Sequence, residues 1–365
     1  MKTNGNPVAG ALAAALQAVE IDKLLGGDRE HLLAGREALF DARHQVHLVS
    51  RLDRNPACRF SHEHWSLASL PDLPLGEALA LAEGPPGDRR LFVPGHAFVS
   101  RLSCDTCGLE EVPWRLLLGS PGSLSGCAPS CPRCGARRAI RGFDLVEQLS
   151  ADFLPPLLLE GSLAERGLRP GEVFGVASEA RPPRYFALAD ANRGASPSGA
   201  TDLVVAGTGN IGSFLAPLLA RMERVGRVTL CDPDVYEPGQ QVGQDIPLAA
   251  VGRGKAEVQA ERMRAICPGL PVEVFRALVE ELPLGALWGA ITVSCLDSRA
   301  ARLGLAARAW RVGSPFVDAA VGGGSSLLVR TNMYLPEPGA ACFECAFEAR
   351  DYENLDQATP CAVAA

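Results

Sequence analysis

The sequence predicts an α/β protein in which a mostly parallel β-sheet with helices on both faces follows a mixed N-terminal domain that contains a zinc ribbon. Three observations predict this class. Strand-like and helix-like segments alternate after residue 201, a glycine-rich loop joins the first strand and helix of that series, and two Cys-x-x-Cys pairs lie near 104–134. A length of 365 residues is enough for two domains with separate cores.

The two predicted domains meet at a linker over residues 190–200, which is small, polar and rich in turn-forming residues. We expect an N-terminal mixed domain over 1–189 and a second domain over 201–365. Residues from about 8 to 50 carry helical apolar spacing, and residues 172–189 predict two short strands.

The second domain shows the alternation that specifies a mostly parallel sheet covered by helices. The predicted strands are Leu203–Ala206, Val228–Cys231, Val272–Phe275, Ile291–Cys295 and Phe316–Val317, and the predicted helices are Ile211–Met222, Lys255–Ile266 and Arg299–Val312.

A loop of the form Gly-x-Gly-x-x-Gly follows the first of these strands and opens the first helix. Its glycines are Gly207, Gly209 and Gly212. Glycines permit a tight turn and a close approach of phosphate to backbone N–H groups, and the helix N-terminus favours negative charge. Asp232 ends the next strand 20 residues after Gly212, where a carboxylate can accept hydrogen bonds from a ribose. A Rossmann-like domain that binds adenosine is therefore predicted, for either ATP or NAD.

Composition and charge exclude some classes of function. The net charge of −7 gives no general attraction to nucleic acid, and no apolar run is long enough to cross a bilayer. Six of the 12 cysteines lie in Cys-x-x-Cys pairs, which favours metal thiolates in a reducing compartment over disulfides. We expect a cytoplasmic protein without nucleic-acid or membrane partners.

The strongest metal motif consists of Cys104, Cys107, Cys131 and Cys134, with 23 residues between the two pairs. Each pair is followed by a glycine that permits backbone N–H contacts to sulfur, and four thiolates close a tetrahedral Zn²⁺ site with no position for water. A structural zinc ribbon is predicted, with Cys127 as an alternative ligand. The short run from Cys58 to His64 also contains metal-capable groups, but this pattern alone favours an ordinary structural role.

Downstream of the glycine loop, three further motifs resemble the ubiquitin-activating-like adenylyltransferases of the ThiF, MoeB and HesA type. These motifs are DPDVYEPGQQVGQ from Asp232 to Gln244, GRGKA around Lys255, and DSRAAR from Asp297. The resemblance implies an enzyme that activates a carboxylate with ATP, giving an acyl-adenylate and pyrophosphate. It also implies a homodimer, and a partner that is a peptide or a small ubiquitin-like protein with a free C-terminus.

The resemblance assigns site residues. Asp232 would hold the ribose, Lys255 would neutralise phosphate charge, and Asp297 would hold Mg²⁺, although Asp297 could also cap the following helix. The whole nucleotide site would comprise Gly207, Gly209, Asn210, Gly212, Asp232, Asp234, Gln244, Lys255 and Asp297. Two positions depart from the family pattern, because Gly243 replaces its phosphate-facing arginine and Gln240 replaces its asparagine.

Three other cysteines remain open. Cys342 and Cys345 resemble the family's first zinc pair, whose second pair normally lies further downstream. The domain could be truncated, Cys361 and another group could complete the site, or these thiols could be without metal. The position of Cys361 also makes it a hypothetical acyl acceptor.

Two alternative functions follow from the same residues. The altered positions permit a non-catalytic peptide-recognition module, and the glycine loop with Asp232 permits an NAD-dependent oxidoreductase. Histidines occur only up to His96, so this oxidoreductase lacks an evident proton-transfer partner in the second domain.

Overall fold

The computed structural model describes residues 5–118, 130–138, 140–190, 199–322 and 327–355. Within these ranges, the α-helices are α1 (Pro7–Gly26), α2 (Leu75–Ala80), α3 (Pro156–Glu160), α4 (Gly212–Leu219), α5 (Lys255–Ile266), α6 (Arg299–Arg311) and α7 (Ala349–Glu353). The strands are β1 (Arg36–Asp41), β2 (Val46–Arg51), β3 (Leu67–Leu70), β4 (Arg90–Phe92), β5 (Ala97–Val99), β6 (Leu102–Ser103), β7 (Glu110–Glu111), β8 (Arg115–Leu117), β9 (Leu145–Val146), β10 (Gln148–Ser150), β11 (Val173–Ser178), β12 (Arg181–Leu188), β13 (Thr201–Ala206), β14 (Val225–Cys231), β15 (Val272–Phe275), β16 (Ala290–Ser294), β17 (Phe316–Val321) and β18 (Leu328–Tyr334).

The chain forms two compact units. Unit 1 contains the described parts of Met1–His64, Ala195–Leu282 and Ala286–Ala365, and unit 2 contains those of Trp65–Gly194 with Pro283–Gly285. Residues up to His64 therefore belong with the C-terminal sheet, whereas the sequence placed them in an N-terminal domain over 1–189. The reason is that strand β1 pairs with β18 near the other end of the chain, and local sequence patterns do not reveal such pairing. Most of the predicted linker, residues 191–198, lies outside the described ranges.

Unit 1 is built on an eight-stranded sheet with the order β15-β14-β13-β16-β17-β18-β1-β2. The first five strands in this order are parallel, and the last three are antiparallel additions. Fully buried strands such as Leu203–Ala206 carry continuous apolar runs because helices cover them. The predicted α/β class with a mostly parallel sheet is confirmed.

Helix α1 packs an alanine-rich face into the core of unit 1. The side chain of Asn6 accepts hydrogen bonds at the start of the helix, Pro7 occupies its first position, and Gly27 ends it in the left-handed conformation with φ 77°. Ala13 and Ala14 are fully buried, so α1 lies close to α4 and β17. The buried Gln17 amide donates to the Ser294 carbonyl at 2.8 Å, which fastens α1 to the end of β16.

The segment after α1 is a β-hairpin, although its apolar spacing predicted helix as far as residue 50. Strand β1 pairs with β18 so that Ala38 faces Thr331, and β2 pairs with β1 at the sheet edge. Leu39 and Phe40 therefore lie in a strand, because pairing with a segment about 290 residues away outweighs local helical spacing.

Unit 2 contains a five-stranded sheet with the order β10-β4-β11-β12-β3 and two smaller sheets. The two strands predicted over 172–189 are β11 and β12, which form an antiparallel pair. Phe98 and Phe174 are among the fully buried side chains of its core. Among all described residues, no helix combines the length and apolar character that a membrane crossing requires.

Candidate functional site

The glycine loop lies at the carboxyl end of β13, between the ends of β14 and β16. Gly207 has φ 89°, and a Cβ there would lie 2.7 Å from the Cys295 carbonyl oxygen. A Cβ on Gly212 would lie 2.0 Å from the Gly207 carbonyl oxygen. A Cβ on Gly209, in contrast, would meet no heavy atom of the described residues within 4 Å. Two glycines are thus required by packing, and the third faces open space where a ligand can approach.

Asp232 fastens this loop to the end of β14. It is 6% exposed, and its Oδ2 accepts from both the backbone N–H and the hydroxyl of Thr208, at 2.7 and 2.9 Å. Its Oδ1 accepts from the Asp234 backbone N–H at 3.0 Å. These bonds use three of about four acceptor positions on a carboxylate. Asp232 is therefore a structural support of the loop before any ligand binds.

Asn210 connects the loop to two other segments. Its side-chain amide donates to the Gly243 carbonyl at 2.6 Å and to the Gly5 carbonyl at 3.1 Å. Its Oδ1 is buried and has no hydrogen-bond partner among the described residues, and the same holds for Gln244 Oε1. Unsatisfied buried acceptors are costly, so each is a position where a ligand or water donor would be stabilising.

Lys255 is the first residue of α5 and is 8% exposed. Its ammonium donates to Asp234 Oδ2 at 2.8 Å, and its backbone N–H donates to the Asp234 carbonyl at 2.9 Å. The Asp234 side chain itself is 63% exposed. An ammonium has three donors, so Lys255 can keep this bond and still meet an anion.

Asp297 is exposed in the loop between β16 and α6. The hydroxyl of Ser298, and not the Asp297 carboxylate, caps α6 by accepting from the Ala301 N–H at 3.3 Å. Since Ala206 at the end of β13 pairs with Ser294 at the end of β16, this carboxylate emerges at the same sheet edge as the glycine loop. The capping alternative for Asp297 was wrong.

The sequence did not reveal a polar network that joins the glycine loop to α5. Tyr236 donates its hydroxyl proton to the Thr208 carbonyl at 2.8 Å, and Gln259 donates to the Tyr236 oxygen at 2.8 Å. Arg262 continues the network to Gln259 at 3.0 Å and to the Asp245 carboxylate at 2.5 Å. Burial raises the pKa of Tyr236 far above its usual value, so the phenol stays protonated. The only signal in the sequence was the i, i+3 spacing of Gln259 and Arg262 on α5, and such spacing of polar residues usually indicates a solvated helix face.

The four cysteines of the predicted ribbon come together in unit 2. Their sulfur atoms all lie within 4.8 Å of one another, with 3.5 Å between Cys104 and Cys134 and 3.5 Å between Cys107 and Cys131. Hydrogen bonding from the Cys107 backbone lowers the pKa of Cys104 to about 6, whereas neighbouring thiols and burial raise the pKa values of Cys107 and Cys134. These four cysteines, which are the predicted zinc ligands, can hold a metal ion. Cys127 lies outside the described residues.

Cys342 and Cys345 come together with two residues from the other end of the chain, Cys58 and His62. The four potential ligand atoms again lie within 4.8 Å of one another. The run from Cys58 to His64 by itself is a weak metal pattern and predicted a structural role, because the sequence does not show that its partners lie about 280 residues away. The hypothetical acceptor Cys361 lies outside the described residues.

Comparisons with known proteins find similarities in the C-terminal part of the chain. The ThiF family model matches residues 197–364. Similar solved structures include E. coli tRNA N6-threonylcarbamoyladenosine dehydratase TcdA in complex with ATP, with 30% identity, 34% of this chain and 53% of that chain covered, and a TM-score of 0.30. They also include E. coli MccB with ATP (22% identity, 43% and 45% covered, TM-score 0.35) and PaaA (17% identity, 44% and 48% covered, TM-score 0.35).

The chain thus spans about half the length of the solved structures that it matches. No curated protein matches it. The matched region contains the glycine loop, Asp232, Lys255 and Asp297 together with most strands of the parallel sheet. The C-terminal part of this chain, residues 197–364, is therefore similar to the ThiF family.

Proposed function

We propose that this chain is an ATP-dependent adenylyltransferase that activates the C-terminal carboxylate of a peptide or small ubiquitin-like protein. The observation that carries the proposal is the open face of Gly209 just before α4, at the sheet edge where Asp232 and Asp297 also emerge. Lys255 is joined to this edge through its ion pair with Asp234. Backbone N–H groups at a helix N-terminus bind phosphate, and the adjacent carboxylates suit ribose and a divalent cation.

The proposed roles follow from the remaining hydrogen-bonding capacity of each group. Asp232 has an acceptor position left for a ribose hydroxyl after its bonds to Thr208 and Asp234. Lys255 would turn its remaining N–H donors to the phosphates. The exposed Asp297 carboxylate fits a Mg²⁺ ligand, and this ion would supply Lewis-acid stabilisation of phosphate charge. Asn210 and Gln244 would offer their unpartnered amide oxygens to donors of the nucleotide or its water.

The reaction requires cations because both reactants are anionic. A carboxylate oxygen attacks the α-phosphorus of ATP, the bond from that phosphorus to the bridging oxygen breaks, and pyrophosphate leaves with the electron pair. Lys255 lies on a buried helix start, where a fixed ammonium stabilises developing charge more effectively than in water. Its ion pair with Asp234 holds it in place before the nucleotide arrives.

We propose that the four-cysteine group of unit 2 holds structural Zn²⁺ and that this region helps to bind the peptide or protein partner of a cytoplasmic homodimer. Cys361 stays a hypothetical acyl acceptor. A second candidate is a non-catalytic recognition module. It is favoured by Gly243, which stands where the family has a phosphate-facing arginine. Gly243 is buried, and its backbone carbonyl accepts a hydrogen bond from Asn210.

Pyrophosphate release distinguishes these two functions. Wild-type protein, Mg-ATP, a small ubiquitin-like protein ending in Gly-Gly and hydroxylamine should yield pyrophosphate and the corresponding hydroxamate. Lys255→Ala should abolish both products. Lys23→Ala is the matched control, because Lys23 forms a similar ion pair with Glu20 at 2.6 Å on α1. Lack of turnover with a series of such carboxylates, despite tight binding of one of them, would favour the recognition module.

A further inference from the structure

The group formed by Cys58, His62, Cys342 and Cys345 has the composition and spacing of a closed zinc site. The sulfur of Cys342 lies 3.8 Å from the sulfur of Cys58 and 3.8 Å from that of Cys345. Thiolates bound at about 2.3 Å to a tetrahedral Zn²⁺ lie about 3.8 Å apart. The Nε2 atom of His62 lies 3.1 Å from the sulfur of Cys345, so the imidazole points into the same centre.

The surroundings hold His62 in this orientation. Its φ of 55° is unusual for a residue other than glycine. Its carbonyl accepts from the indole N–H of Trp310 at 3.2 Å, and its ring meets the Trp310 ring edge to face, with centroids 5.4 Å apart. The next residue, Glu63, accepts from Arg311 at 3.0 Å. These contacts fix the ligand on the C-terminal end of α6, as outer contacts do in metal sites.

The segment that contains Cys58 and His62 needs such an anchor. Residues 52–64 form neither helix nor strand in the structure. Their main contacts in unit 1 are the cysteine pair of 342–345, the end of α6 and Tyr352, whose ring lies 3.7 Å below the Arg59 guanidinium. Cys58 and Cys342 are 284 positions apart, so an ion that joined them would close a very long loop.

We propose that Cys58, His62, Cys342 and Cys345 bind one Zn²⁺ through three thiolates and one imidazole, and that this ion crosslinks segment 52–64 to the C-terminal part of unit 1. Four protein ligands leave no position for water, so the site is structural. The family resemblance would place two further cysteines downstream of Cys345. Here the second pair of ligands, Cys58 and His62, comes instead from the segment that precedes unit 2 in the sequence.

Zinc content tests the ligand assignment independently of any enzymatic activity. Atomic emission should find one Zn²⁺ fewer per chain in His62→Ala than in wild type, and His62→Cys should restore it because a thiolate can replace the imidazole. Cys267→Ser is the control, since Cys267 is half-buried and belongs to neither cysteine group, and it should keep the wild-type content. Equal zinc in wild type and His62→Ala would overturn the proposal. A Cys58–Cys342 disulfide found by mass spectrometry of the freshly purified protein would overturn it as well.

Limited trypsin digestion tests the crosslink. Arg54 and Arg59 lie in segment 52–64, and both should resist cleavage in the zinc-loaded full chain. Cleavage at these arginines should increase at least tenfold in His62→Ala and return to the wild-type rate in His62→Cys. If His62→Ala lost its zinc but trypsin cut both proteins equally at Arg54 and Arg59, the ion would not be the crosslink.

Discussion

Two substitutions of neighbouring loop glycines should affect different properties: Gly212→Ala should lower stability, and Gly209→Ala should weaken Mg-ATP binding. In Gly212→Ala, the new Cβ would lie 2.0 Å from the Gly207 carbonyl oxygen, whereas ordinary contact begins at 3.4 Å. The backbone must therefore move by more than 1 Å, and overpacking of this kind costs about 1–3 kcal/mol. For a unit of this size, 2 kcal/mol corresponds to a decrease of about 4–8 °C in Tm.

Gly209→Ala is the matched comparison, because its Cβ would meet no heavy atom of the described residues within 4 Å. Its free energy of unfolding should stay within about 0.5 kcal/mol of wild type. A methyl group there would keep phosphate away from the backbone, and a lost hydrogen bond to a charged group costs about 1.5–3 kcal/mol. The Kd for Mg-ATP should therefore rise about ten- to hundredfold. Scanning calorimetry measures the first effect and isothermal titration the second. An unchanged Tm in Gly212→Ala would show that the close contact with the Gly207 carbonyl does not constrain the loop, and wild-type ATP affinity in Gly209→Ala would show that phosphate does not approach Gly209.

Three further predictions concern other parts of unit 1. Gly304 lies inside α6, and a methyl group there would meet no heavy atom of the described residues within 4 Å. Gly304→Ala should therefore raise the free energy of unfolding in urea by up to about 1 kcal/mol. A loss of stability would contradict this. Asp318→Asn leaves the buried Arg302 guanidinium without its charge partner and should lower the free energy of unfolding by about 3–5 kcal/mol. Glu63→Gln, which removes the charge partner of Arg311 in an exposed pair, should lower it by less than about 1 kcal/mol. Equal losses of stability in the two variants would contradict this prediction. Burial raises the pKa of Cys231 from 9.0 to about 12, so the native thiol should resist iodoacetamide at pH 8. Between pH 9 and 12 the unfolded chain loses this proton while the folded chain keeps it, so this thiol should lower stability by up to about 1.4 kcal/mol per pH unit as pH rises. Rapid native labelling, or stability that rises over this range in wild type relative to Cys231→Ala, would contradict it.

The parts of the fold that the sequence predicted are those encoded by local patterns. The parallel strands carry continuous apolar runs, and the loop from Gly207 to Gly212 carries its signature within six residues. Helix α5 and strand β15 have the predicted bounds. The hairpin of β1 and β2 could not be predicted, because its pairing partner β18 lies at the other end of the chain.

The candidate site shows the same division. The motif residues were identifiable because the glycine loop, Asp232 and Asp297 follow strands, and Lys255 opens a helix, in the family order. The support of the loop by Tyr236 and Gln259 was not identifiable, since a buried tyrosine hydroxyl leaves no periodic signal. The ligands Cys58 and His62 were visible as metal-capable residues, but only the three-dimensional fold brings them to Cys342.

The most direct test of the central claim is calorimetric titration of Mg-ATP, and separately of NAD, into wild type, Lys255→Ala and the control Lys23→Ala. We expect saturable Mg-ATP binding by wild type and Lys23→Ala, clearly weaker binding by Lys255→Ala, and no binding of NAD. Absence of Mg-ATP binding by intact, zinc-loaded protein, or binding of NAD alone, would contradict it.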